Sequence, residues 1–270
     1  MSTRNSAFRY WGGVKSFDPK AGTFEVLSKY MVAFSLFGAF AALIIASLVT
    51  LLGVPDNVGL VIGLLIFGAS LLFGGATYGQ SGSDESGAFE LVDVVPAKQP
   101  RINSLVEGIS ASIGLEMPRV AMVDVDSINA ISIVGSKRQP ILILTRGAVV
   151  ALTRMELEAL IARELVRIRT GQIQIEARHR SYRRLIGRVI KSALRQSYDE
   201  EMLGRDLARD IGAITVTRFP PALVELFEKV AKQESLSDAK LPGGVFAEFY
   251  LIPNFTDVSV DKRTMELRNF

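Results

Sequence analysis

The 270-residue sequence contains no cysteine, one histidine (His179) and one tryptophan (Trp11). Without cysteine, disulfides and thiolate metal sites are excluded, which agrees with a reducing compartment. A catalytic zinc takes three deprotonated protein ligands and keeps one position open for water. One histidine and no thiol fall short of the usual sets. His179 stands in Arg178-His-Arg180 and is expected at the surface. Charge is also scarce in one region: from Tyr30 to Ser83 the only charged residue is Asp56.

That scarcity defines two apolar runs, Met31 to Pro55 and Val58 to Ser83, of 25 and 26 residues. About 20 apolar residues cross the hydrocarbon core of a bilayer, so each run is long enough. A signal peptide would carry a shorter apolar core nearer residue 1. Gly53-Val-Pro-Asp-Asn57 is a turn signal, so the runs are expected to form an antiparallel transmembrane hairpin, about 30–53 and 58–78. The first 29 residues carry Arg4, Arg9, Lys15, Lys20 and Lys29 against Asp18 and Glu25, whereas the turn has no Lys or Arg. The positive-inside rule then places both termini in the cytoplasm of a multi-pass plasma (inner) membrane protein. Gly59 and Gly63 form a G-x-x-x-G pair suited to close helix contact.

The remaining organisation follows composition. Residues 1–29 form a cytoplasmic segment, either an aromatic interfacial stretch or a tail. Residues 79–87 are rich in Gly, Ser and acid and read as a linker, and 88–270 form a soluble domain. Within it, Phe89–Val95, Arg119–Asp124, Asn129–Val134 and Ile141–Leu144 have strand character, the last two as a hairpin around Gly135–Pro140. Ile102, Leu105, Val106, Ile109 and Ile113 share helical spacing before the stop at Gly114. The fold class is α+β, mainly helical with a small, partly antiparallel sheet. A short extended piece is expected over Phe246–Pro253, and a helix over Asp261–Phe270.

The most specific stretch is a helix opened by the capping box Thr153-Arg-Met-Glu156, with an apolar stripe at Leu157, Leu160, Ile161, Leu165 and Ile168, closed at Thr170-Gly171. Inside it, Arg163-Glu-Leu-Val-Arg167 has the spacing of the zinc-protease motif H-E-x-x-H with arginine at both histidine positions. Residues four apart share a helix face, but guanidinium offers no lone pair to a metal. From Arg167 to Arg195 the chain carries nine Lys or Arg and a single acid, Glu176. The basic helix Arg178–Arg195 fits contact with anionic lipid headgroups, or a solvated basic face within the domain. No basic–aromatic platform for nucleic acid is present.

Two apolar helices followed by this domain resemble the HtpX-type membrane zinc metallopeptidases, relatives of the CAAX prenyl proteases. The resemblance runs over about residues 30–230. It rests on the ordered series Met117-Pro-Arg-Val120, Asn129-Ala130, Leu144-Thr-Arg-Gly147, Glu156–Leu165 and Asp206…Asp210. It implies a zincin-like (gluzincin) cytoplasmic domain. It also implies that Arg163 and Arg167 stand at two zinc ligands, Glu164 at the general base, Asp206 at the third ligand and Asp210 at an orienting aspartate. Only Glu164 and Asp210 keep the family's residue types.

The expectation is therefore a pseudo-peptidase with no active catalytic residue and no zinc or other cofactor, binding or scaffolding other membrane proteins. An active zinc endopeptidase with unrecognised ligands, and an accessory subunit of a membrane complex, remain the alternatives. At the degenerate site, Arg163 and Arg167 either pair with Asp206, Asp210 or Glu164 where the metal would sit, or turn to solvent.

Overall fold

The computed structural model describes residues 19–82, 84–186, 198–234 and 257–268. Helix α1 (Pro19–Leu51) and helix α2 (Asp56–Gln80) pack against each other as an antiparallel hairpin, joined by a turn with Gly53 at φ 80°. Both are long and apolar enough to cross a membrane. Only 6% and 17% of their apolar windows are buried, whereas a soluble core helix would be mostly covered. Phe37, Phe40, Leu43, Leu64 and Leu72 instead project outward. The glycine pair acts inside the hairpin. A Cβ on Gly59 would lie 3.2 Å from the Ala46 carbonyl oxygen, and one on Gly63 3.4 Å from that of Ala42.

Helix α1 begins eleven residues before the expected span at 30. Charge marks where a helix leaves lipid, not where it ends. Glu25 and Lys29 pair one turn apart, and Val26 and Tyr30 are fully buried beside Ile175 of a later helix. The stretch read as a linker is tied down as well. Gly82 N–H donates to the Ser181 hydroxyl (3.3 Å), and Glu85 N–H donates to the Val134 carbonyl (2.8 Å).

The sheet comprises β1 (Val92–Asp93), β2 (Arg119–Val123), β3 (Ala130–Val134) and β4 (Pro140–Thr145), in the order β1-β2-β4-β3. The expected hairpin forms, with β3 and β4 antiparallel; β2 and β4 are parallel, and β1 is an antiparallel stub. Side chains alternate between faces. Ile131, Ile133, Ile141 and Ile143 pack under Phe89, while Val134, Leu142 and Leu144 meet the helices. Ser132 shares that helix-facing side, and β3 is an edge strand.

Six further helices follow the order of the sequence: α3 (Pro100–Ile113), ended by Gly114 at φ 66°, then α4 (Arg146–Ala151), α5 (Arg154–Arg169), α6 (Gln172–Ile186), α7 (Tyr198–Thr217) and α8 (Pro220–Glu234). The last described element is α9 (Asp257–Arg268). The capping box of α5 is present: Thr153 accepts from the Glu156 N–H, and the Glu156 carboxylate accepts from the Thr153 N–H. This helix is the centre of the domain. It packs on α3, α6, α7, α8 and strands β3 and β4, and its residues from Ala159 to Ile168 are all buried. The extended piece expected at 246–253 and the second half of the basic helix, 187–195, lie outside the described residues.

Candidate functional site

Two helices present facing pairs of residues four apart: Arg163 and Arg167 on α5, Asp206 and Asp210 on α7. Arg163 lies wholly inside. Its Nε donates to Asp210 Oδ1 (2.8 Å), one terminal nitrogen to Asp206 Oδ1 (2.8 Å) and the other to Glu164 Oε1 (3.0 Å). Arg167 is equally buried. Its Nε donates to Glu176 Oε2 (2.8 Å), Nη2 to the same oxygen, and Nη1 to Glu164 Oε2 (3.1 Å). Neither arginine reaches solvent.

Three further residues belong to this cluster that the motif does not name. Glu176 on α6 accepts from Arg167 and from Arg209 of α7. Arg209 also donates to Asp206 Oδ1 (2.7 Å) and to Gln172 Oε1 (2.6 Å). Arg263 of α9 donates to both oxygens of Asp210 (2.6 and 2.9 Å) and lies 4.4 Å above the Phe227 ring. A sequence signal exists for two of them. Glu176 is the lone acid in a basic stretch, and Arg209 follows Asp206 by one helical turn.

The cluster is therefore four guanidiniums (163, 167, 209, 263) against four carboxylates (164, 176, 206, 210), every one of them at most 3% exposed. Among the described residues its formal charges sum to zero. Two arginines against Asp206 alone would leave a net positive charge; the buried network is larger. Neutrality matters because an unpaired ion at this depth costs several kcal/mol.

The field of the cluster shows in its titrations. Burial alone would raise Glu176, but Arg167, Arg209 and Arg180 outweigh it and hold the carboxyl down to about 2. Glu164 and Asp210 are likewise pushed up by burial and pulled further down, Glu164 by Arg167 and Arg163, Asp210 by Arg263 and Arg163. Burial lowers Arg163 and Arg167, and their carboxylates more than reverse it. Arg209 is the exception. Burial depresses it, Glu176 and Asp206 oppose, and the neighbouring Arg167 and Arg163 add to the depression.

Glu164 decides what chemistry is open. Its carboxylate accepts from Arg163, from Arg167, and from both the N–H (2.8 Å) and hydroxyl (2.7 Å) of Ser132 on the edge strand. Three of these donors converge on Oε2 and the fourth, Arg163, takes Oε1, so both oxygens are tied to guanidinium in a site closed to solvent. The residues present also do not fit a zinc ion. The groups at positions 163 and 167 are N–H donors without a lone pair, and each nearby carboxylate is committed to guanidinium. Among the described residues, no group of three or more His, Cys, Asp or Glu is placed to hold a metal.

The other stretches behind the family resemblance have structural work. Thr145 Oγ accepts from the N–H of Asn129 (2.9 Å) and of Ala148 (3.2 Å) and donates to the Asn129 carbonyl (3.0 Å). Asn129 in turn accepts from the Ala130 N–H (2.8 Å). Gly147 is needed for close approach: a Cβ there would lie 1.9 Å from the Asp126 carbonyl oxygen.

The basic region differs from expectation. His179 is buried, at 4% exposure, not at the surface. Its neighbour Arg180 is also internal, donating through two nitrogens to the Glu85 carboxylate (2.6 and 2.5 Å). Local charge suggests a wet helix face here, but the acid that turns Arg180 inward lies 95 positions earlier.

Against this geometry, the comparisons are distant but consistent. A protein named protease HtpX homolog from Dictyoglomus turgidum is 24% identical over 196 residues, covering 60% of this chain and 64% of the relative. One from Dictyoglomus thermophilum is 25% identical over 192 residues, covering 58% and 62%. A Bacteroides fragilis protein of the same name is 35% identical over 75 residues, 28% of this chain and 23% of its own. These matches support a relationship to the HtpX family. The chain spans under two thirds of the length of these curated relatives. No protein-family model matches the sequence, and no solved structure matches it. The HtpX relationship and the two apolar helices together point to a membrane protein with a peptidase-like domain.

Proposed function

We propose that this chain is a membrane-anchored pseudo-peptidase: a zincin-like domain of HtpX type that no longer hydrolyses peptides and instead binds or scaffolds other membrane proteins. The observation that carries the reading is that Glu164 is fully buried with a guanidinium on each carboxylate oxygen. A general base must face the water it activates, and this carboxylate instead faces guanidinium on both oxygens, away from solvent. The guanidiniums on either side also take the space in which a metal-bound water would stand. The hairpin crosses the inner membrane with both ends cytoplasmic, in keeping with the basic residues before it. Its outward apolar side chains offer a surface for partner helices in lipid.

Metal content tests the catalytic half of this reading. Full-length protein purified in mild detergent is expected to carry no stoichiometric zinc and to leave an unfolded protein substrate uncut. Zinc at one per chain that disappears in Asp206→Ala would overturn it. The scaffolding half predicts that cross-linking in native membranes traps a defined membrane protein on the hairpin. A hairpin that cross-links only to lipid would refute it.

A further inference from the structure

The geometry points to a second surface, a headgroup-binding site for anionic lipid made by the β3–β4 turn and the base of α6. It stands on the hairpin lying in a bilayer and is independent of whether the buried ion network is inert.

The level of the bilayer surface can be read from the hairpin. From Tyr30 to the end of α1, and from Val58 to Tyr78 on α2, each helix rises about 30 Å, the thickness of the hydrocarbon core. Tyr30 and Tyr78 close these spans at the same level, with ring centroids 5.7 Å apart, and Tyr182 of α6 lies 5.1 Å from Tyr30. Tyrosine rings favour the boundary between lipid and water. Tyr78 and Tyr182, half-buried on either side of the buried Tyr30, mark that boundary on the protein.

Two cationic side chains are fastened to the same level. Arg178 donates to the Tyr78 hydroxyl (2.9 Å) and sits 4.9 Å from the centroid of its ring. Arg138 donates to the Gly79 carbonyl at the end of α2 (3.1 Å). Lys137 and Arg138 are both exposed and both held in left-handed backbone, φ 52° and 61°. Non-glycine residues rarely adopt that conformation, and its strain is associated with functional positions. Here it turns two adjacent cations out of the hairpin tip beside the helix end.

Nearby acids offset them only in part, because Asp84 keeps one negative charge against three cations. The Glu85 carboxylate is taken by Arg180, and Asp84 accepts from the Ser86 N–H and hydroxyl. Arg138 and Arg178 each use one N–H on the end of α2 and keep further donors for a ligand. A phosphodiester at the bilayer surface meets this arrangement: fixed guanidiniums, a mobile ammonium and an aromatic belt below. Arg178 belongs to the basic stretch Arg178–Arg195 expected from sequence to meet lipid; Arg180 of that stretch points inward, and 187–195 lie outside the described residues.

The test uses full-length protein reconstituted in phosphatidylcholine vesicles carrying spin-labelled phosphatidylglycerol or spin-labelled phosphatidylcholine. The motionally restricted fraction gives relative association constants. Wild type is expected to favour phosphatidylglycerol, and Lys137→Gln/Arg138→Gln to weaken that preference by about fivefold for each interfacial cation lost. Arg154→Gln is the control; it lies beyond the opposite end of β4, about 20 Å away along the strand, and should keep the preference. No preference in wild type would overturn the proposal. So would an unchanged preference in the double variant, an equal loss in Arg154→Gln, or no restricted lipid of either kind.

Discussion

Arg263 donates to both oxygens of Asp210 at 2.6 and 2.9 Å, from a helix 53 positions later in the chain. Asp210 also holds Arg163, so α9, α7 and α5 meet at one carboxylate. This contact ties the domain's last described helix to its centre.

Removing one acceptor should be costly. Asp206 Oδ1 accepts from Arg163 and Arg209, and Asp206→Ala strips both. We expect a loss of about 3–5 kcal/mol, as for other broken buried ion pairs. The thermal unfolding midpoint of detergent-solubilised protein measures it, and an unchanged midpoint would show that the network contributes nothing.

Acid should weaken the fold before it touches anything else. Glu176 moves from an ordinary 4.5 to about 2 in the folded state. A depressed carboxyl contributes stability that is fully present above its unfolded value and lost as pH falls through the folded one. Glu164 and Asp210 are depressed in the same direction. The unfolding midpoint should therefore stay level down to about pH 5 and drop between there and about 2. Glu176→Gln should begin less stable at neutral pH and show a shallower decline.

Restoring two histidines should not restore a metal. In Arg163→His/Arg167→His, Arg209 still holds Asp206 and Arg263 still holds Asp210. Zinc measured by mass spectrometry after dialysis should stay well below one per chain. Stoichiometric uptake by this double variant would mean that the outer arginines yield easily.

Gly147→Ala tests the strand-to-helix corner. The added methyl carbon would overlap backbone, the Asp126 carbonyl, which a side-chain rotation cannot relieve. A destabilisation of about 3 kcal/mol is expected from overpacking, read by urea or thermal unfolding. A neutral result would mean that the 125–128 loop moves freely.

Much of the scaffold was legible because local signals agreed. The capping box at Thr153, the stop at Gly114 and the Asn129–Leu144 hairpin each have a short-range physical cause, and each is present. Helical spacing puts Arg163 and Arg167 on one side of their helix, and the family resemblance supplies Asp206 and Asp210 as the acids to face them. Of the two arginines, Arg163 meets those acids. The full partners of the pair were not legible. Glu176 stands out only as the lone acid of a basic stretch, and no local pattern reports the contact of Arg263 with Asp210 across 53 positions. His179 and Arg180 failed for the same reason: flanking charge suggests a wet face, and only the distant Glu85 reveals a buried one.

The interlocking of the eight groups has a consequence for how this protein can change over time. Each guanidinium shares a carboxylate with another, and any single neutral replacement leaves the buried group with an uncompensated unit charge. Selection acts on one substitution at a time, and each first step away from this arrangement passes through a weakened protein. The cluster thus behaves as a historical ratchet. Drift is free to reshape the surface and the turns, while the centre stays fixed by mutual dependence.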